Sequence, residues 1–288
     1  MILSLSTGLQ ACQRPVTEAD KKLRILTTIA PLYSFTINVV GDSARVDNLI
    51  PSGIGPHEYS LSPGDARKVA ETRILIINGV NLESWLHKLT SSAEEVKKSA
   101  AHDREKLIVV DTSTGVEIIN SDPHIWLSPI NAIVQVKNIR DALVKADPDN
   151  RETFMKNADE YIQRLKDLDK EIRGSIKTWN MNQFVAFHSA FQYFAKEYGL
   201  EQIAVIQETP DIEPSPRHIA HVIETIRTAG IRSIFTEPYF SHKIVKSIAE
   251  DLDLQVYSLD TLETGALSEE WYEERMRANV EVLQKALN

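Results

Sequence analysis

The chain has very little cysteine and no excess of basic residues. The first excludes disulfides within the chain, and the second argues against nucleic-acid binding. Its 288 residues include one cysteine, Cys12, so no disulfide can form within the chain. Lysine and arginine number 32 against 41 aspartates and glutamates, which gives a formal net charge of −9. Because nucleic-acid binding calls for a basic face, this balance argues against it. A mild acidic excess suits a protein that collects cations, and it suits simple solubility equally well.

Long apolar runs are also missing. No segment after residue 12 approaches the roughly 20 apolar residues of a transmembrane helix. Residues 1–8 are short and apolar, and Leu9-Gln-Ala-Cys12 resembles a bacterial lipobox, in which the signal is cut before the cysteine and the thiol takes a lipid. No lysine or arginine precedes the apolar stretch, which departs from a full signal. We expect residues 1–22 to form a signal, lipobox and tether, with lipidation at Cys12; the alternative is a disordered tail with a chance cysteine.

Apolar strands alternate with helices in the first half of the chain. The patterns predict strands over residues 23–29, 44–50, 74–77 and 107–110, and helices over 32–40, from 62, and over 82–89. Nearly continuous apolar strands separated by helices indicate a parallel sheet covered on both faces. We therefore expect an N-terminal α/β lobe over residues 23–147.

A long helix is predicted next, from Asn150 to Lys177. Apolar residues recur every three or four positions along it, at Phe154, Ala158, Tyr161, Leu165, Leu168, Ile172 and Ile176. Such a helix spans roughly 40 Å, the width of a whole protein. We interpret residues 148–180 as a segment that links two lobes; the alternative is the seam of a coiled-coil dimer.

A second α/β alternation comes after this helix. Strands are predicted over residues 183–187, 203–206, 231–235 and 254–259, and helices over 190–198, 218–228, 241–251 and 269–286. A chain of this length suits two domains. The expected fold is two lobes, each a parallel sheet flanked by helices, joined by one long α-helix; the second lobe covers residues 181–288.

Four potential metal ligands lie at predicted breaks between a strand and the next segment of the chain: His57, His124, His188 and Asp260. Open α/β sheets bind ligands just beyond the carboxyl ends of their strands, so these positions can meet in one cleft between the lobes. Three imidazoles and one carboxylate suit a borderline divalent cation such as Zn²⁺. Each residue taken alone has an ordinary structural explanation, and only the set indicates a metal site.

Other polar residues are weaker candidates. Glu58, beside His57, is either a partner of a metal ligand, an alternative ligand or a solvated acid. Glu213 and Glu237 are expected to organise loops near the cleft. His218 and His221 lie three apart on one predicted helix and offer at most a weak accessory site.

Four groups of segments, in this order along the chain, carry a family resemblance: residues 49–59 with 78–79 and 82–85; 122–129 with 147–150; 187–191 through 200; and 213–216 with 234–238 and 259–262. Over about residues 23–286 the sequence resembles the bacterial zinc/manganese ABC-transporter solute-binding proteins. The resemblance implies a metal held between two lobes that a rigid helix joins.

Carried over by position, the resemblance implies His57, His124, His188 and Asp260 as metal ligands. In this family the third position varies, and an imidazole there goes more often with zinc than with manganese. The His- and acid-rich loop of many zinc members is absent from residues 112–121. The resemblance thus implies an extracytoplasmic, lipid-anchored or periplasmic monomer that captures Zn²⁺ and passes it to a membrane permease, with Mn²⁺ or Fe²⁺ as the alternative cargo.

Two other classes stay open from the sequence. A metallohydrolase would need an open metal position for water and a nearby base, a part that Glu58 could take. The metallohydrolase hypothesis is less favoured, because Asp260 would fill the fourth ligand position and the sequence has no His-Glu-x-x-His motif. An adhesin role also occurs in the resembled family, and nothing in the sequence tests it. We expect a binding protein and no catalytic residues.

Overall fold

The computed structural model describes residues 22–57, 59–99, 106–207, 213–238 and 243–288. The expected lipidation at Cys12 and the expected role of Glu58 lie outside these residues. No helix in the described ranges is both long and apolar enough to cross a bilayer.

The first half of the chain forms a four-stranded parallel sheet. Its elements are β1 (Leu23–Thr27), α1 (Ala30–Val40), β2 (Ala44–Asn48), α2 (Pro63–Ala70), β3 (Ile74–Ile77), α3 (Leu86–Ser99) and β4 (Ile108–Asp111). The strand order is β2-β1-β3-β4, with every neighbouring pair parallel. All four residues of β3 are buried, as an apolar strand covered on both faces requires. This confirms the predicted α/β class.

The second half repeats the same arrangement. Its elements are β5 (Gln183–Ala186), α6 (Gln192–Tyr198), β6 (Glu201–Val205), α7 (Pro216–Ala229), β7 (Ser233–Thr236), α8 (Lys243–Leu252), β8 (Gln255–Ser258) and α9 (Trp271–Leu287). The order β6-β5-β7-β8 matches that of the first sheet, again with parallel neighbours. In each sheet the chain first moves one way from its first strand and then returns to the other side. Each sheet therefore has a crevice beyond the carboxyl ends of its two central strands, where such sheets bind ligands.

Between the sheets lie two helices, α4 (Pro129–Ala146) and the long α5 (Arg151–Ile176), with a 3₁₀ turn at Pro148–Asn150. The predicted stripe along α5 is buried from Phe154 to Ile172. The helix α5 packs against α1, α4 and α9. One continuous apolar core consequently runs through both halves of the molecule, which makes α5 the connection that the sequence predicted.

The helix α4 was not among the predicted elements. It begins with a well-formed cap, since the Ser128 side chain accepts a hydrogen bond from the Asn131 amide and Pro129 occupies the first turn. Its buried residues include Ile133, Val136 and Ile139, yet Ile130 on the opposite side is 37% exposed. Apolar residues on more than one side weaken the single stripe by which a helix is identified in a sequence.

Candidate metal site

The three histidines expected at the cleft do come together, and the carboxylate that joins them is Glu263. One atom from each of His57, His124, His188 and Glu263 lies within 4.8 Å of the others, and three of the four residues are buried. The Nε2 atoms of His57 and His124 are 3.2 Å apart. Oε1 of Glu263 is 2.9 Å from Nε2 of His124 and 3.2 Å from Nε2 of His57. Imidazole rings from both halves of the chain thus face one point.

His124 is fixed from behind by its own loop. Its Nδ1 lies 2.6 Å from Oδ1 of Asp122, which also accepts the backbone N–H of His124 at 3.0 Å. The preceding carbonyl, that of Pro123, accepts a hydrogen bond from the Asn78 side chain at the end of β3. Tyr193 on α6 reaches across and donates to the carbonyl of Asp122. Because both halves of the chain hold this loop, the imidazole has little freedom to turn.

His188 stands at the crevice of the second sheet. It follows the end of β5, and Glu237 follows the end of the neighbouring central strand β7. Nδ1 of His188 and Oε1 of Glu237 are 2.9 Å apart, and each side chain is at most 3% exposed. The expectation that Glu237 organises the cleft thus takes the form of a direct contact with His188.

His57 is the least buried of the three rings, with 20% of its side chain exposed. It lies in the loop that follows β2, and two hydrogen bonds connect this loop to the loop of Glu263. The Ser52 hydroxyl donates to the Gly265 carbonyl, and the Gly53 amide donates to the Thr264 hydroxyl, each at 2.6 Å. The segments that carry His57 and Glu263 are therefore joined directly.

The structure differs from the prediction at the fourth carboxylate, because Asp260 lies outside the group. Oδ1 of Asp260 accepts the backbone N–H of Leu262 at 2.8 Å, and Asn279 on α9 clamps both the N–H and the C=O of Asp260. Leu262 takes a left-handed backbone conformation with φ 57°. This tight turn directs Glu263, three residues after Asp260, to the histidines. Asp260 holds the turn that presents Glu263.

Sequence reasoning missed Glu263, Asp122 and the clamp by Asn279. Asp260 and Glu263 are two acids in one short segment, and only the left-handed turn between them decides which reaches the cleft. The weaker candidates His218 and His221 are not part of the group within the described residues. Instead, Nε2 of His218 lies 2.9 Å from the Val205 carbonyl.

Burial and the neighbouring carboxylates set the charge of the site. Burial disfavours a charged His124, but hydrogen bonds with Asp122 and Glu263 outweigh it and raise the pKa to about 9. Burial, and then the charge of His124, lower the pKa of His188 to about 3. Burial opposes ionisation of Glu263, yet its hydrogen bonds with His124 and His57 hold its pKa well below the usual range. Burial and the charge of Glu263 raise the pKa of Glu237 well above its usual value.

The donor set fits a tetrahedral divalent cation. A Zn²⁺ ion with bonds of about 2.0–2.1 Å places neighbouring ligand atoms about 3.4 Å apart. The Nε2 atoms of His57 and His124 and Oε1 of Glu263 already lie 2.9 to 3.2 Å from one another. Small outward adjustments of these three and an approach of His188 would surround one ion with three nitrogens and one oxygen.

Comparison with known proteins agrees with this geometry. The family model for "Zinc-uptake complex component A periplasmic" matches residues 25–286. The high-affinity zinc uptake system protein ZnuA of Bacillus subtilis (strain 168) is 33% identical over 310 residues, covering 99% of this chain and 94% of that protein. The zinc-binding lipoprotein AdcA of Streptococcus pneumoniae (strain ATCC BAA-255 / R6) is 35% identical over 86% of this chain, which spans about half (51%) of AdcA.

A solved structure shares the fold as well. The Zn(II)-bound ZnuA-like domain of Streptococcus pneumoniae AdcA superposes with a TM-score of 0.77 at 32% identity, over 92% of this chain and 99% of that one. With two parallel sheets, a linking helix and an interlobe cluster of histidines, the molecule has the architecture of a metal-binding solute-binding protein. The chain belongs to the zinc-uptake complex component A family.

Proposed function

We propose that this protein is the extracytoplasmic solute-binding component of an ABC importer, that it captures Zn²⁺ and that it delivers the ion to a membrane permease. The observation that carries the proposal is the convergence of three imidazoles and one carboxylate within 4.8 Å. Family membership and the zinc-uptake relatives support the transport role. The lipobox-like segment ending at Cys12 supports attachment to the membrane through a lipid, and we propose a monomer.

The proposed ligands are His57, His124, His188 and Glu263, with Glu263 replacing Asp260. Four protein ligands complete a tetrahedral shell and leave no position for a catalytic water, which favours binding over hydrolysis. Three nitrogens and one oxygen favour Zn²⁺ over Mn²⁺, which prefers more oxygen ligands. Mn²⁺ is the second candidate cargo, since a borderline site of this kind also accepts it at lower affinity.

Competition calorimetry on the metal-stripped protein tests the proposal. Zn²⁺ and Mn²⁺ are titrated separately and then against each other, for the wild type and for His188→Glu. We expect one Zn²⁺ per chain, no displacement by equimolar Mn²⁺, and a shift of preference towards Mn²⁺ in the variant because an oxygen replaces a nitrogen. Comparable Mn²⁺ binding by the wild type would move the cargo to manganese. Absence of stoichiometric binding of either ion would refute the proposed function.

A further inference from the structure

Glu237 is a buried carboxylate that is only half used by the surrounding structure. It follows β7 directly and is 2% exposed. Its Oε1 meets Nδ1 of His188 at 2.9 Å. Its Oε2 is buried with no hydrogen-bond partner among the described residues. A carboxyl group in such a place costs folding free energy, because desolvation of its second oxygen is not compensated.

A buried carboxylate near the strand ends of the first sheet shows what a structural carboxylate looks like. Glu83 is also buried, and it lies at the carboxyl ends of the central strands β1 and β3. Its Oε1 accepts from the Thr28 hydroxyl and the Asn78 amide, and its Oε2 accepts from the Gly79 amide. Both oxygens of Glu83 therefore stabilise the strand ends. The single side-chain hydrogen bond of Glu237 in the described structure goes to a histidine of the candidate site.

The contact decides which nitrogen of His188 is available. When Nδ1–H donates to Glu237, the other ring nitrogen, Nε2, carries the lone pair and is the nitrogen available to a metal ion. Asp122 makes the same contact with Nδ1 of His124. His57 differs, since no described residue makes a hydrogen bond with its Nδ1. A carboxylate behind a ligating imidazole fixes its tautomer and orientation and makes the ring a stronger donor.

We propose that Glu237 is a positioning residue for metal capture, which acts through His188 by holding its Nδ1–H and presenting Nε2 to the ion. This inference rests on the proposed function. On this account Glu237 raises zinc affinity and lowers the folding stability of the protein.

The test is a double-mutant cycle read by competition with a zinc chelator. Glu237→Met removes the acceptor at similar side-chain length and should lower zinc affinity by about 10- to 100-fold. In a His188→Ala background the same change should alter affinity by less than about threefold, because the ring through which Glu237 acts is gone. An unchanged affinity in the wild-type background, or an equal loss in both backgrounds, overturns the proposal.

Glu83→Gln is the matched control. Its carboxylate supports the strand ends, so this variant should lower the melting temperature of the metal-free protein. Any change in zinc affinity should be the same in the wild-type and His188→Ala backgrounds. Glu237→Met should leave the melting temperature of the metal-free protein unchanged or raise it.

A conservative variant keeps the proposal testable if Glu237→Met does not fold. Glu237→Gln retains an oxygen that can accept Nδ1–H, so affinity should fall by less than about tenfold. In proton–nitrogen NMR spectra of the zinc-loaded protein, the Nδ1–H resonance of His188 should persist and move upfield because the acceptor has lost its charge. An unmoved resonance refutes the contact. If the wild type binds no metal at all, the proposed function fails; if it binds tightly while these variants behave like it, only this inference fails.

Discussion

His124 and His188 are both buried imidazoles backed by a buried carboxylate, yet they hold protons very differently. Nδ1 of His124 lies 2.6 Å from Asp122, and Nδ1 of His188 lies 2.9 Å from Glu237. The pKa of His124 is raised to about 9, whereas that of His188 is lowered to about 3. A carboxylate behind the ring is therefore not sufficient to set its charge.

The difference comes from the other side of the rings. Glu263 lies 2.9 Å from Nε2 of His124, so His124 sits between two carboxylates. His188 loses its proton affinity first through burial and then through the positive charge that His124 carries. The raised pKa of His124 favours a proton on this ring near neutral pH. A divalent cation would take the place of that proton, and the carboxylates behind the rings would keep both imidazoles oriented.

Replacing the carboxylate in front of the rings should have the largest effect. Glu263→Gln should lower zinc affinity by more than about 100-fold, since changes outside the ligand shell alone cost 10- to 100-fold. Asp260→Asn should lower it by less than about tenfold, because the amide oxygen can still accept the Leu262 N–H that holds the turn. Chelator competition near neutral pH measures both. A larger loss in Asp260→Asn than in Glu263→Gln would restore Asp260 as the ligand.

The proton on His124 should make zinc binding strongly pH-dependent. The ring must be neutral to bind the ion, so at each pH below about 9 the ion competes with the proton. Affinity should fall about tenfold per pH unit, or about 100-fold from pH 8 to pH 6. Metal-buffered titrations at several pH values give this slope.

The same proton sets a stability window for the metal-free protein. Because the folded-state pKa of His124 is raised from 6.5, its stabilising contribution is complete below about pH 6.5 and is lost as the pH rises through about 9.

Calorimetry of zinc binding in two buffers of different ionisation enthalpy should show at least one proton released at neutral pH. Binding without proton release would contradict the charge assigned to His124.

Asp122→Asn should have an intermediate effect and sharpen the contrast between the two rings. The amide oxygen keeps an acceptor for Nδ1–H and for the His124 backbone N–H, so the ring stays oriented while one charge is lost. Zinc affinity should fall by about tenfold. The pKa of His124 should also fall, which weakens proton competition, so the loss should be smaller at pH 6 than at pH 8. Glu117→Gln, an exposed acid paired with Lys196, is the control and should behave like the wild type. An equal loss at both pH values would argue against this account.

The sequence predicted the elements with a strong period and missed those without one. The long helix was expected from Asn150 to Lys177 and is found at Arg151–Ile176, because its buried stripe follows one face without interruption. The helix Pro129–Ala146 has apolar residues on more than one side and escaped detection.

The same limit applies at the site. His188 follows a predicted apolar strand, and His57 and His124 lie in proline-flanked loops, so the order of elements was enough to assign the three histidines to one cleft. The choice between Asp260 and Glu263 depends on a single left-handed residue, Leu262, and on the Asn279 clamp from a distant helix. Neither leaves a periodic signal. Asp122 contacts His124 within one loop, and such a local contact has no periodic signal either. Glu237 was expected near the cleft, but its contact with His188 depends on the pairing of β5 with β7.

The smallest effect on zinc affinity is expected from changing the loop contact that places the third ring, His57. This ring has no carboxylate on its Nδ1 among the described residues, and its placement depends on the loop that hydrogen-bonds to Thr264 and Gly265. Thr264→Val removes the acceptor of the Gly53 N–H at nearly constant volume. Loss of one such bond costs about 1 kcal/mol, so zinc affinity should fall about fivefold, mainly through faster dissociation measured by stopped-flow chelation. Thr90→Val, at a half-buried position of α3, is the matched control. A loss of affinity as large as that in Glu263→Gln would mean that the loop contact, and not the carboxylate of Glu263, dominates zinc capture. An unchanged dissociation rate would mean that the hydrogen bond between Gly53 and Thr264 does not help to place His57.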